Sequence, residues 1–179
     1  LSAGKTWKSY AESLPYTGYL GGNTGDYFKH HNPFAYFSDV RDSSTEKDRI
    51  VPFTHFAEDL ASHSLPSFSF VVPNIMHDAH SGSLSSADAW LKKNIGPLLS
   101  NSEFKTNGIL IIVFDESYDS DAAHGGGHVA AVVVGPGVKR GYRYTGFAQH
   151  QSVLATVLDA LKLGQTMHNA TTASDLAVF

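Results

Sequence analysis

Two segments rich in carboxylates and imidazoles carry most of the chemistry this chain can offer. Residues 109–114 form an unbroken apolar run, Ile109-Leu110-Ile111-Ile112-Val113-Phe114, which stops at Asp115 and Glu116. His124-Gly125-Gly126-Gly127-His128 comes next, leading straight into Val129-Ala130-Ala131-Val132-Val133-Val134. Earlier in the chain, Ser67 to Val72 ends in Pro73-Asn74-Ile75-Met76-His77-Asp78-Ala79-His80. Carboxylates and imidazoles without any thiolate suit Zn, Mn, Mg or Ca rather than copper(I) or iron–sulfur chemistry. A site of that kind holds one or two metal ions that activate a nucleophile and neutralise phosphoryl oxygens during in-line displacement.

Each of these residues also has a plainer reading. Asp78 and His80 lie two apart, so in an extended segment they point to the same side and can act together; a surface loop would use them merely as solvated groups. Asp115 and Glu116 are adjacent acids that repel one another unless a cation or a proton lies between them. Their plainer reading is a turn-capping Asp115 beside a solvated Glu116. The glycines between His124 and His128 allow the backbone to approach a ligand closely. His128 is fixed by the strand it precedes, whereas His124 taken alone reads as a surface imidazole.

These residues need elements to position them. An apolar run ending in acids reads as a buried strand that delivers side chains to a sheet rim. Open α/β sheets bind ligands beyond the carboxyl ends of their strands, so residues 67–72 and 109–114 are expected as strands of an α/β fold. Residues 5–13, with Trp7, Tyr10 and Ala11, read as a short helix stopped near Pro15. Residues 16–48 are rich in Gly, Asn, Asp and aromatics, an irregular stretch long enough to be either functional or held against something else. Phe53, Phe56, Ala57 and Leu60 share one face of a helix over 53–61. Ser85-Ser86-Ala87-Asp88 fits a capping box for a helix that continues through Trp90, Leu91 and Ile95 to Gly96-Pro97. A last helix, residues 149–163, has an apolar stripe of Val153, Leu154, Val157, Leu158 and Leu161. Only 12 residues, Glu116 to Gly127, separate the second and third strands. They are polar and Gly-rich, and a parallel crossover needs about a dozen or more, usually with a helix. The two strands should therefore run antiparallel and bring Asp115, Glu116 and His128 to one end.

Composition narrows the rest. A chain of 179 residues suits one domain with a sizeable core. A net charge of -4 gives no support for nucleic-acid or anionic-membrane binding. No apolar run approaches the roughly 18 residues of a transmembrane helix. The absence of cysteine removes disulfides, thiolate nucleophiles and cysteine zinc sites and leaves the compartment open. The chain opens at Leu1 with neither Met nor a leader-like segment, which reads as a trimmed start.

Taken in order, several motifs converge: Gly4-Lys5-Thr6-Trp7-Lys8-Ser9-Tyr10, His31-Asn32-Pro33, Val71-Val72-Pro73-Asn74 with Asp78 and His80, Ala89-Trp90-Leu91-Lys92-Lys93, Val113-Phe114-Asp115-Glu116, Val132-Val133-Val134-Gly135-Pro136-Gly137-Val138, and His150. This series resembles the bacterial and fungal phosphoesterase family, which includes acid phosphatases and phospholipase C enzymes and belongs to the alkaline-phosphatase-like superfamily. The resemblance implies an alkaline-phosphatase-like central sheet flanked by helices. It also implies that residues 1–179 are the C-terminal portion of a larger phosphoesterase domain, lacking its N-terminal strands. It places Asp78, His80, Asp115, Glu116 and His128 in a metal and phosphate shell. His31, Asn74, His124 and His150 are candidates for substrate binding, with a packed, hydrogen-bonded histidine as the other reading of His31 and His150.

Departures from the family pattern matter too. His77-Asp78-Ala79-His80-Ser81 stands where relatives often read Asn-Asp-Met-His-Asp, so the second acid is missing, and the flanking cysteines are absent. The Glu-Asn-basic-Ser type motif and the Ser or Thr nucleophile of relatives do not occur in this chain. The expected function is metal-assisted hydrolysis of a phosphoric monoester or of a diester such as a phospholipid headgroup, in a secreted or periplasmic protein. An N-terminal fragment of the same protein would be a partner supplying the nucleophile. The alternative is a truncated domain that binds metal or anion without turnover.

Overall fold

The computed structural model describes residues 3–164, 170 and 172–176. Its contacts divide into two compact units, Leu1–Asn101 and Ser102–Phe179. No helix among the described residues is long and apolar enough to cross a membrane.

The first unit is built on a three-stranded parallel sheet. In chain order it holds β1 (Trp7–Ala11), the one-turn helix α1 (Ser38–Arg41), β2 (Ile50–Pro52), α2 (Thr54–Ala61), β3 (Phe68–Val72) and α3 (Leu84–Asn94). The strand order is β2-β1-β3. Tyr10 of β1 is level with Val51 on one side and Val71 on the other.

The central strand occupies the segment expected as a helix. Trp7, Tyr10 and Ala11 are spaced like a helical face, but the governing period is two. Lys8 and Tyr10 face α2, where both side chains reach the Asp59 carboxylate. Trp7 and Ser9 face the opposite way: Trp7 stacks on Phe34 at 4.6 Å between ring centres, and the Ser9 hydroxyl donates to Asn32 Oδ1 at 3.0 Å. A strand with a polar partner on each face does not show apolar alternation, and that hid it. Burial raises the Asp59 pKa, but hydrogen bonds from Lys8 and Tyr10 and the Lys8 charge outweigh it, so the carboxyl sits below its usual range. Burial, reinforced by Asp59, pushes the Tyr10 phenol well above its ordinary value.

The irregular stretch 16–48 is held against the sheet. Tyr27, Ala35 and Val40 pack with Ala11, Leu14, Ile50 and Val72 in the core, and Tyr19, Leu20 and Phe34 close around them. The helix expected over 53–61 is α2, with Phe56 buried. The helix cap falls earlier than expected. Ser83, not Ser85, is the N-cap residue, and its hydroxyl accepts the Ser86 N–H at 3.1 Å. A serine run offers several candidate caps, and the one in extended backbone just outside the first turn prevails.

The second unit holds α4 (Ser102–Asn107), β4 (Leu110–Val113), β5 (Ala131–Val134) and α5 (His150–Ala160). β4 and β5 are antiparallel neighbours, Val113 opposite Ala131 and Leu110 opposite Val134, as the short connection required. These strands are less covered than an apolar run suggests, since Ile109, Val113 and Val132 are exposed at 45%, 37% and 50%. A two-stranded sheet has few neighbours with which to cover its faces. α5 buries Ser152 and Thr156 more deeply than its apolar stripe, of which Leu154 is exposed. Thr156 Oγ1 donates to Ser152 O and accepts the Leu176 N–H.

Candidate functional site

Within the first unit, the carboxyl ends of β1 and β3 lie side by side, joined by the Glu12 N–H donating to Val72 O at 2.9 Å. The segment leaving β3 is wound into a tight loop. Asn74 O accepts the N–H groups of His77 and Asp78, and the Ser81 N–H returns to Ile75 O. Asn74 is buried, and both ends of its amide are used: Oδ1 accepts the Met76 N–H at 3.1 Å within the loop, and Nδ2 donates to Ser13 Oγ, just after β1, at 3.0 Å. Gly82 closes the loop, because a Cβ there would lie 1.9 Å from Met76 O. Ala79 has φ of 71°, a left-handed conformation that costs energy without glycine. The strain is concentrated between Asp78 and His80.

This loop presents Asp78 to His31. Asp78 Oδ2 is 2.9 Å from His31 Nδ1, with both side chains 18% exposed. Asp78 Oδ1 accepts the backbone N–H of His80 at 2.8 Å. The rings of His31 and His80 lie 5.7 Å apart, and His30 meets His31 edge-on at 4.5 Å. A carboxylate on Nδ1 fixes the tautomer and orientation of an imidazole, and leaves Nε2 as the working nitrogen. His31 Nε2 has no partner among the described residues. The unit thus gathers three imidazoles, one of them oriented by a carboxylate, at the sheet's carboxyl edge. Such a group can donate hydrogen bonds to an anion or exchange a proton with it.

In the second unit, the antiparallel pairing brings the Asp115, Glu116 and His128 positions to the same end of the two strands. Asp115 Oδ1 accepts the Glu116 N–H at 3.0 Å, and Asp115 O accepts from His150 Nε2 at 2.6 Å. The connecting loop is braced by Asp121, whose carboxylate accepts the N–H groups of His128 and Ala123. Those two backbone bonds hold Asp121 below the usual carboxylate range. Gly127 is required here: its φ is +72°, and a Cβ would come 1.8 Å from Ser117 Oγ. His124 meets Phe147 edge-on at 5.2 Å. The carboxylates of Asp115 and Glu116 remain exposed, beside an exposed His128. This donor set suits a hard divalent cation in type, although among the described residues no three His, Asp or Glu side chains are gathered in a metal-holding group.

Sequence reasoning found His31, Asp78 and His80 without pairing them, and missed His30 and Glu12. His30 could have been found from its adjacency to His31. Glu12 becomes visible only once residues 7–11 are a strand, because it then follows directly at the sheet's carboxyl edge.

Residues 1–164 match the phosphoesterase family. The chain is 33% identical over 161 residues to an acid phosphatase of Aspergillus fumigatus, covering 84% of this chain and 35% of that protein. It is 30% identical over 164 residues to a probable acid phosphatase of Kluyveromyces lactis, covering 86% of this chain and 38% of that protein. A phosphatidylinositol-3-phosphatase of Mycobacterium tuberculosis is 32% identical over 166 residues, with 93% and 52% covered. The chain belongs to the phosphoesterase family. It spans between about a third and a half of the length of these curated relatives.

Proposed function

We propose that the protein carrying this chain hydrolyses phosphoric esters, with a phosphomonoester as the preferred substrate class. The observation that carries this reading is the His31–Asp78 pair, 2.9 Å apart at the carboxyl edge of a parallel sheet, in a chain whose relatives include acid phosphatases. Asp78 holds the His31 proton on Nδ1 and aims Nε2 outward. His31, with His30 and His80 beside it, binds the phosphoryl oxygens and moves a proton at Nε2. The mycobacterial relative's name favours a phosphorylated lipid headgroup as one such ester.

Within the second unit, Asp115, Glu116 and His128 supply the donor types that would take up a divalent cation if drawn together, and a cation held there would lower the pKa of a bound oxygen nucleophile. His150, bound to Asp115 O, fixes the end of the strand that delivers these acids. The reading assigns the nucleophile outside these 179 residues, and assigns the chain to the C-terminal portion of an alkaline-phosphatase-like domain in an exported protein. Hydrolysis of p-nitrophenyl phosphate and of bis-p-nitrophenyl phosphate by the protein, after chelation and after restoring Zn, Mn, Mg or Ca, tests it. Faster turnover of the monoester, restored by one of these cations, is expected; no turnover of either ester under any condition would overturn it.

A further inference from the structure

Glu12 is the first residue after the central strand, and its carboxylate meets nitrogens of three residues, two in the loop after β3 and one in α3. Oε2 accepts the backbone N–H of Asn74 at 2.9 Å, Oε1 accepts Trp90 Nε1 at 2.8 Å, and His77 Nδ1 lies 3.0 Å and 3.1 Å from the two oxygens. His77 also stacks on Trp90, with ring centres 6.3 Å apart and planes 25° from parallel. One carboxylate therefore ties the start of the β3 loop, the residue just before Asp78, and the buried Trp90 of α3. Nothing in the phosphoryl chemistry above uses Glu12 directly, yet the loop it anchors is the one that holds Asp78 against His31.

We infer that Glu12 is the positioning residue of the phosphate site: by fixing Asn74 and His77 it sets where Asp78 stands, and through Asp78 the orientation of His31. The inference rests on the reading of His31–Asp78 as a phosphate-handling pair. Its chemistry demands a carboxylate. The Trp90 indole and the Asn74 amide are donors that cannot reverse, and they occupy different oxygens of Glu12. A glutamine at this position must turn its NH₂ toward one of them, opposing donor to donor. His77 can exchange tautomers and so does not set this requirement. Loss of partners behind a working group commonly costs about 10- to 100-fold in its function.

Isothermal titration of inorganic phosphate into the full chain provides the readout, because it needs no turnover. Four proteins are compared: wild type, Glu12→Gln, Asp78→Asn and the double variant, each with its unfolding midpoint measured. Glu12→Gln is expected to weaken phosphate binding about tenfold, and Asp78→Asn to do the same. The double variant should bind no more weakly than Asp78→Asn alone, because Glu12 acts through Asp78. Trp90→Phe, which removes one donor and keeps an aromatic ring, should weaken binding less than Glu12→Gln and serves if Glu12→Gln folds poorly. Multiplying effects in the double variant, or unchanged binding in Glu12→Gln or in Trp90→Phe, would overturn the positioning role while leaving the His31–Asp78 reading in place. A wild type that binds phosphate no better than Asp78→Asn would overturn that reading and the inference with it.

Discussion

Replacing Asp59 with alanine removes the carboxylate that joins α2 to the central strand, and the structure sets what this should cost. Tyr10 is fully buried, and its hydroxyl donates to Asp59 Oδ2 at 2.6 Å. Lys8 shares that oxygen, but its side chain is 31% exposed. Water can therefore reclaim Lys8 at a cost of at most about 1 kcal/mol. The Tyr10 hydroxyl keeps only the nearby Ser69 side chain in the interior, and losing its carboxylate acceptor there costs about 1–3 kcal/mol. Together the loss is about 1–4 kcal/mol, or a fall in Tm of roughly 2–16 °C for a chain of this size. Adding Tyr10→Phe removes the hydroxyl that has lost its carboxylate, so the double variant should be more stable than the sum of the two single losses, by about 1 kcal/mol or more. Urea unfolding followed by circular dichroism reads all four proteins. The same pair sets the pH limits. Asp59 has a folded pKa below its unfolded value, so its contribution is complete above about pH 4 and fades as pH falls through the folded pKa. Tyr10 has a folded pKa above its unfolded value, so its contribution is complete below about pH 10 and fades as pH rises beyond. Losses that add within about 0.5 kcal/mol, or a wild-type advantage over Asp59→Ala that grows below pH 4, would refute the reasoning.

Other outcomes follow from the same geometry. Gly127→Ala should destabilise the β4–β5 loop by about 1–3 kcal/mol, because it meets both a positive φ and Ser117 Oγ at 1.8 Å; faster amide exchange across residues 115–128 is the check, and unchanged protection counts against the loop's placement. Titration of Zn, Mn and Ca into the chelator-treated chain should show binding by at least one ion, weakened by Asp115→Asn; no binding by any of them would reduce Asp115 and Glu116 to solvated groups. With the nucleophile outside these residues, as proposed, the isolated 179-residue chain should turn over p-nitrophenyl phosphate poorly, since removing a nucleophile from a cooperating set costs several orders of magnitude. Robust turnover lost on Ser81→Ala or Ser117→Ala would place the nucleophile within it. The exposed Ile109, Val113 and Val132 should make the isolated chain prone to association, visible in sedimentation; a monomer at high concentration would argue otherwise.

What the sequence made legible depends on how strongly a local pattern was forced by local physics. The apolar runs at 109–114 and 129–134 and their short polar connection left one antiparallel solution, and the register follows it. The helix at 54–61 shows its face because Phe56 alone needs deep burial there. β1 reads as a helix from sequence because its partners, Asp59, Asn32 and Phe34, lie 23–51 residues away and satisfy both faces with polar or aromatic contacts. The site divided in the same way. Asp78 and His80 were legible as neighbours, whereas the pairing of Asp78 with His31 spans 47 residues and rests on the packing of the 16–48 stretch against the sheet. Glu12 carried no signal of its own, since a lone glutamate within an apparent helix reads as solvated.

The most direct test is the turnover of p-nitrophenyl phosphate by the active protein with His31→Ala, against wild type and Asp78→Asn, under saturating metal. If His31 handles the phosphoryl group with Asp78 behind it, kcat/KM should fall by about 10²-fold or more in His31→Ala, with a smaller loss in Asp78→Asn. An unchanged kcat/KM in His31→Ala, at an unchanged unfolding midpoint, would contradict the account.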